Sequence, residues 1–328
     1  MDVRYEPTWT YSRRVPAIYT QFDAGCQRFT GSLTVWMVFL TAKIRFLHIP
    51  KTAGSTFDEC LFLLYLRPYL LRRQFVFSGN IEADRQRFGR LSPAARKRIA
   101  ICTGHAPRVT GCSEVDAMPT VTLLRHPLER VKSFCRHVSE GKSPRLYSPA
   151  RDGQFDLDAF LGSDRIQLHN FQCRIVLGEG DYALPAGDPA ALATRAMALL
   201  ESQFSGFGLT EDIDRSLLLF RRQLGWRQWP LYRSRNSSDP QAPLQFEPRH
   251  IARIEELNAI DLEFYRLARA EFYRRLQQQC PDLETDLPRF QSALAGSGPR
   301  FAVIDMARGL GRVYRSLRHA QAGAARGA

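Results

Sequence analysis

Short apolar runs recur along the chain, and segments with helical periodicity separate them. A run that is apolar at nearly every position predicts a strand buried on both faces. Alternation of such strands with helices is typical of a parallel sheet covered on both sides. We therefore predict the α/β class, with a three-layer α/β/α arrangement around a central parallel sheet. The predicted strands are residues 44–48, 75–78, 100–103, 121–124 and 207–209.

Helices are predicted between these strands from amphipathic spacing and from capping residues. Ser92 and Asp188 are typical N-caps, and each precedes a proline at the first helical position. The longest predicted helix is a charged one near the carboxyl end of the chain. The predicted helices are residues 56–66, 92–99, 127–138, 155–161, 165–177, 189–203, 212–224 and 249–279.

Three regions of the chain differ in composition. Residues 1–36 lack clear periodicity, and we expect a poorly ordered segment or a wrongly assigned extension with Met37 as the natural start. Residues 37–294 are predicted to form the catalytic domain. The tail at 295–328 is rich in Gly, Ala and Arg and is predicted to be basic and partly disordered, with a basic helix at 301–318.

The first chemistry-bearing segment reads His-Ile-Pro-Lys-Thr-Ala-Gly-Ser-Thr and follows the first predicted strand directly. A strand, a loop of small residues and a helix start place unpaired N–H groups together, and such groups bind anions. Lys51 adds a full positive charge, but it precedes Gly54, unlike the lysine of a GxxxxGK[ST] loop. The predicted anion-binding loop consists of Lys51, Thr52, Ala53, Gly54, Ser55 and Thr56.

The second segment, residues 120–133, predicts a buried strand that ends at Arg125 and a helix that opens at Pro127. Apolar residues form one stripe of that helix, and Ser133 falls on the opposite side. An arginine binds phosphate through two parallel hydrogen bonds, and a hydroxyl adds another. The pair of Arg125 and Ser133 is therefore suited to a second phosphate group.

The two segments together resemble sulfotransferases that use 3′-phosphoadenylyl sulfate (PAPS), in particular the branch of heparan sulfate 2-O-sulfotransferases and bacterial carbohydrate sulfotransferases. Weaker likenesses at residues 169–178 and 207–219 keep the family's order. The resemblance implies a P-loop nucleotide-hydrolase-like fold, with the 5′-phosphosulfate on residues 51–56 and the 3′-phosphate on Arg125 and Ser133. His126 stands where the family usually has Asp or Asn.

The resemblance also implies the catalytic residues, Lys51 at the leaving group and His105 as the base. His105 ends a Cys-Thr-Gly-His segment after a predicted strand, and a neutral imidazole accepts a hydroxyl proton near pH 7. His48 and His126 are rival bases. No metal is predicted, because the spacing of the cysteines and histidines matches no standard zinc pattern.

Composition narrows the partners and the compartment. The net charge of +13 and the pI near 9.8 favour anionic partners, and only five of the 46 basic residues are lysines. Seven cysteines without a CxxC pair indicate free thiols in a reducing compartment, which predicts the cytoplasm. A carbohydrate or glycolipid hydroxyl is the expected acceptor, with the loops 139–153 and 226–247 as candidate walls.

The sequence leaves open one further partner and two alternative functions. The basic tail is a candidate for contact with membrane surfaces, and no nucleic-acid partner is predicted. A P-loop-like kinase or nucleotide hydrolase with a degenerate loop is one alternative function. A non-catalytic protein that binds anionic polymers is the other, since arginines are spread along the whole chain.

Overall fold

The computed structural model describes residues 43–141, 155–178, 182–233, 244–302 and 305. These residues all belong to one compact unit. The predictions for residues 1–36 lie outside the described residues. So do most of the predicted loop 139–153, part of the loop 226–247 and most of the predicted helix 301–318.

Five parallel strands form a single sheet in the order β2-β3-β1-β4-β5. The predicted α/β class with a central parallel sheet is confirmed. β1 lies in the middle, so the loops after β1, β3 and β4 meet at one edge of the sheet. The strands are β1 (Ile44–Leu47), β2 (Gln74–Ser78), β3 (Ile101–His105), β4 (Thr120–Leu124) and β5 (Gly206–Leu209).

Thirteen α-helices and two short 3-10 helices are present among the described residues. The α-helices are α1 (Gly54–Leu64), α2 (Leu66–Leu70), α3 (Ile81–Gly89), α4 (Pro93–Arg98), α5 (Ser113–Asp116), α6 (Pro127–Ser139), α7 (Leu157–Leu161), α8 (Phe171–Leu177), α9 (Pro189–Gln203), α10 (Ile213–Gln223), α11 (Pro248–Leu257), α12 (Ala259–Gln279) and α13 (Leu283–Ala295). Several of the predicted helices are found within a few residues of their expected bounds, whereas α2, α3, α5 and α13 were not predicted.

Both faces of the sheet are covered, because successive strand residues point to opposite sides. Phe46 packs in a core with residues of α1, α10 and α13. Its neighbour Leu47 packs in a second core with residues of α8, α9 and α12. Leu123 and Leu124 divide between the same two cores. The arrangement is therefore helix layer, sheet and helix layer.

The prediction of one helix over 249–279 was wrong, because the chain breaks at Asn258 between α11 and α12. The Asn258 amide is buried and donates to the carbonyls of Leu168 and Ile254. Its oxygen accepts the backbone N–H of Asn170. The predicted helix at 165–177 is interrupted at the same contact, since Asn170 has a left-handed φ of 47° and α8 begins only at Phe171.

The starts of α8 and α12 cap each other. The side-chain oxygen of Asn170 accepts the N–H groups of Ile260 and Asp261 at 2.9 and 3.0 Å. In return the Asp261 carboxylate accepts the N–H groups of Gln172 and Cys173 at 2.9 and 2.8 Å. Two helix N-termini thereby satisfy their unpaired donors within the core, where no solvent replaces them.

Packed structure continues past residue 294, since Phe301 is buried in the core beside α1. The four aromatic side chains of the loop 226–247 were candidates for the acceptor wall, but they pack elsewhere. Trp226 is buried in a core, Trp229 packs on Phe290, Tyr232 donates to Asp214, and Phe246 lies against the core beneath α6.

No helix in the described ranges is long and apolar enough to cross a membrane.

Replacement of Asn258 by alanine should destabilise the fold by about 2–4 kcal/mol, because two buried carbonyls and one N–H lose their partner. The free energy of unfolding in urea measures this effect. Asn80→Ala is the matched control, since Asn80 is an exposed N-cap of α3 and its loss should cost only about 1 kcal/mol. Equal losses in the two variants would contradict the assignment.

Candidate active site

A cleft of about 440 Å³ opens at the carboxyl edge of the sheet, where the loops after β1 to β4 meet. The two predicted anion-binding segments and the predicted base all reach this cleft. The predicted residues that line it are Lys51, Ala53, Gly54, Ser55, His105, Arg125 and Ser133.

Thr52 and Thr56 do not line the cleft. Thr52 is fully buried, and its hydroxyl donates to the Ile49 carbonyl at 2.9 Å. The Thr56 N–H donates to the Ala53 carbonyl at 3.0 Å, and its side chain is buried. These two threonines shape the loop from within. The first N–H groups of α1, those of Gly54 and Ser55, have no partner within the helix and are at the cleft.

The loop between β1 and α1 has an unusual backbone. Lys51 and Ala53 both have a left-handed conformation, with φ of 71° and 60°. Gly54 begins α1 directly against the ring of His48, where an added Cβ would lie 1.6 Å from Nε2. Only glycine leaves room for this contact. The His48 ring also stacks on Phe46, with ring centroids 5.2 Å apart.

Arg125 links the two segments that the sequence predicts to bind anions. Its guanidinium Nη1 donates to the Lys51 carbonyl at 3.1 Å, although 74 residues separate the two in sequence. The backbone of Arg125 is in turn bound by Gln172. The Gln172 oxygen accepts the Arg125 N–H at 3.0 Å, and its amide donates to the Arg125 carbonyl at 2.8 Å. Gln172 is buried and is positioned by Asp261.

Gln172 and His137 carry parts of the site that the sequence prediction missed. Gln172 lies in the segment 169–178, which resembles the family, but no role was predicted for it. His137 follows Ser133 by four residues on α6, and both side chains line the cleft. That spacing places two residues on one helix face, so it was the available signal for His137.

His105 has a defined tautomer. Its Nδ1 lies 2.9 Å from the backbone carbonyl of His48. A carbonyl only accepts hydrogen bonds, so Nδ1 carries the proton and Nε2 is the basic nitrogen. Burial lowers the pKa of His105 below its ordinary value of 6.5, although the bond to His48 opposes this. The imidazole is therefore neutral at pH 7.

Gly104 lies within β3, directly before His105 at the carboxyl end of the strand. Its φ of +105° is one that other residues rarely adopt, and an added Cβ would lie 2.2 Å from the Phe77 carbonyl oxygen. The Gly-His order is thus required by the close approach of β2 and β3.

The two rival histidines are less suited to act as the base. Burial, together with the neighbouring His105 and Lys51, lowers the pKa of His48 to about 3. Its ring also lies against Gly54, which leaves no room at that nitrogen for a substrate. His126 does not line the cleft; its ring packs edge-on against Tyr265. The geometry favours His105 among the three candidates.

The far wall of the cleft is formed by Ser78, Gly79 and Tyr182 beside His105. Asp84 is buried and accepts the Ser78 N–H at 2.7 Å, which fixes the turn after β2. The Tyr182 hydroxyl lies 3.4 Å from the Gly79 carbonyl and 3.5 Å from that of His105. Burial raises the pKa of Tyr182 to about 12, so the phenol stays protonated.

Within the described part of the chain, no group of three or more His, Cys, Asp or Glu side chains is arranged to hold a metal ion. The six described cysteines are free thiols, and all except Cys280 are buried.

No protein-family model matches the chain, and no curated protein matches it significantly.

Replacement of Gly54 by alanine should destabilise the fold by about 1–3 kcal/mol, because the new methyl group overlaps the fixed His48 ring. Urea unfolding measures the loss. Gly89→Ala is the matched control: Gly89 lies in α3 with no atom within 4 Å of the added Cβ, and its replacement should be neutral or slightly stabilising. A neutral Gly54→Ala variant would show that His48 moves freely.

Proposed function

We propose that this protein is a PAPS-dependent sulfotransferase with a P-loop nucleotide-hydrolase-like fold. It transfers a sulfuryl group to a hydroxyl, without a metal, and acts in the cytoplasm. One observation carries the proposal. Two anion-binding segments, 74 residues apart, meet in one cleft through the bond from Arg125 to Lys51, and a neutral histidine with a free Nε2 lies at the same cleft.

The donor binds along the sheet edge. Its 5′-phosphosulfate occupies the loop of residues 51–56 and meets the free N–H groups of Gly54 and Ser55 at the positive end of α1. Its 3′-phosphate binds Arg125 and Ser133, with a guanidinium and a hydroxyl that both line the cleft. Because Gln172 holds the Arg125 backbone at two points, the guanidinium requires little reorganisation on binding.

The transfer step follows from these positions. His105 Nε2 removes the proton of an acceptor hydroxyl as the oxygen forms a bond to sulfur. The bond between sulfur and the 5′-phosphate oxygen breaks, and its electron pair stays on that oxygen. Lys51 stabilises the growing negative charge on this leaving group. Positioning and electrostatic stabilisation supply most of the rate, as in phosphoryl transfer.

The acceptor is a carbohydrate or glycolipid hydroxyl, not a nucleic acid. The wall of Ser78, Gly79 and Tyr182 lies next to His105, and it offers hydroxyl and backbone groups that match the polar groups of a sugar. The aromatic residues 226, 229, 232 and 246 do not contribute, since they pack in the cores.

Isothermal titration with adenosine 3′,5′-bisphosphate tests the donor site without an acceptor. We expect micromolar or tighter binding that is unchanged when magnesium is omitted. Arg125→Ala should weaken it about a hundredfold, because two charge-assisted hydrogen bonds are lost. Arg195→Ala is the matched control, an exposed arginine on α9 that lies outside the cleft, and its affinity should equal that of the wild type.

Two results of this titration would contradict the proposal. If a folded sample does not bind the nucleotide, the proposed donor site is wrong. The alternative function, a non-catalytic protein that binds anionic polymers, would then be favoured. Binding of ATP that requires magnesium, with magnesium-dependent turnover, would favour the kinase or nucleotide hydrolase.

His105→Ala should lower sulfate transfer from labelled PAPS to a carbohydrate extract by about 10²- to 10⁴-fold, while affinity for adenosine 3′,5′-bisphosphate changes little. His169→Ala, outside the cleft, is the control.

The pH dependence of sulfate transfer gives a second test of His105. Because the pKa of His105 is lowered, the imidazole stays neutral as the pH falls through 6.5, so the rate should begin to fall only below that pH. An NMR titration of the imidazole checks this directly, and a pKa above 6.5 would contradict it.

A further inference from the structure

The amino ends of β2, β3 and β1 form a second distinctive surface, on the edge of the sheet opposite the cleft. The Ala100 N–H and the Ile101 N–H both donate to the Arg73 carbonyl, at 2.8 and 3.2 Å. The Ile44 N–H donates to the Ala100 carbonyl at 2.9 Å. These bonds bring the turn after α2, the end of α4 and the start of β1 into one surface.

Exposed apolar side chains are concentrated in residues 70–76, the segment that ends α2 and begins β2. Among the described residues four large apolar side chains are strongly exposed, and three of them lie within seven positions of the chain. Leu70 is 58% exposed, Leu71 is 49% exposed, and Val76 on the edge strand is 49% exposed. Exposure of two adjacent leucines to water at the end of a helix is unfavourable in free energy, and burial of both against an apolar partner would remove this cost.

Cationic residues follow these leucines in the chain and also lie at the end of α4, which the backbone bonds to Arg73 join to the same surface. Arg72 and Arg73 follow them directly and are exposed, and Lys97 and Arg98 are exposed at the end of α4. No Asp or Glu lies between Glu59 and Glu82 in the sequence, or between Asp84 and Glu114. The surface is therefore positive and apolar at once. We call Leu70, Leu71, Arg72, Arg73 and Arg98 the arginine–leucine face.

We propose that the arginine–leucine face binds the surface of a membrane that contains anionic phospholipids. The arginines pair with lipid phosphates, and the two leucines enter the boundary between headgroups and acyl chains. The exposed leucines favour a lipid surface over a nucleic acid, which presents phosphates without an apolar layer behind them. This inference does not depend on the proposed sulfotransferase activity.

Docking through this face leaves the cleft accessible. β2 runs from Gln74, beside the arginine–leucine face, to Ser78 in the lining of the cleft. The two surfaces are therefore roughly 13 Å apart along the strand, on opposite edges of the sheet. A bound molecule would present its cleft to the solution, away from the lipid.

Sedimentation with vesicles of phosphatidylcholine, alone or mixed with phosphatidylglycerol, tests the proposal with the full chain. Wild type should bind the mixed vesicles and not the neutral ones. The double variant Arg72→Gln and Arg73→Gln should bind about thirtyfold more weakly, because each cation near the surface contributes about fivefold. The double variant Leu70→Ser and Leu71→Ser should lose at least about tenfold.

The control is the double variant Arg195→Gln and Arg269→Gln, which removes two exposed arginines from α9 and α12. It should bind the mixed vesicles as the wild type does. All substituted side chains are exposed, so thermal unfolding should be unchanged throughout. Absence of wild-type binding, or equal affinities of the face variants and the control, would overturn the proposal. So would tight RNA binding that the leucine substitutions leave unchanged, without vesicle binding.

Discussion

The mutual capping of α8 and α12 is the constraint on which the geometry of the cleft depends. The Asp261 carboxylate fixes the start of α8, and that start carries Gln172. Gln172 binds the N–H and the carbonyl of Arg125, and Arg125 reaches the Lys51 carbonyl. A continuous series of hydrogen bonds thus joins an outer helix to the loop between β1 and α1. Because each group is buried or partly buried, loss of one leaves its partner unsatisfied, and the whole series is expected to respond together.

Much of the fold could be predicted from the sequence, because β1, β3 and β4 are short, largely apolar runs that are buried on both faces, and this signal is local. The break between α11 and α12 at Asn258 was not predicted, because its cause is not local in the sequence. The helical pattern runs through this residue without interruption, and what ends α11 there is contact with Asn170, 88 positions earlier in the chain. α3 escaped prediction because it is largely polar, with only Asp84 and Phe88 buried.

The site was predictable where chemistry is encoded in adjacent residues. Lys51, His105, Arg125 and Ser133 belong to short motifs, and all four line the cleft. Tyr182 belongs to no such motif, since its position beside His105 is set by the tertiary packing of a distant segment. Aromatic residues are equally ambiguous in sequence. Those at 226–247 were expected at the acceptor wall, yet the same side chains fill cores, because burial and sugar stacking select the same residue types.

The left-handed backbone of Lys51 and Ala53 has a consequence for adaptation to temperature. The left-handed conformation costs a residue that has a Cβ roughly 1–2 kcal/mol of conformational free energy, and it costs glycine almost nothing. The chain therefore carries backbone strain at the loop that would hold its ligand, and the surrounding contacts maintain it. Selection for greater heat tolerance would readily replace Ala53 by glycine. That change would also let the loop sample other conformations, so thermostability and a preorganised anion site are in opposition at this one position.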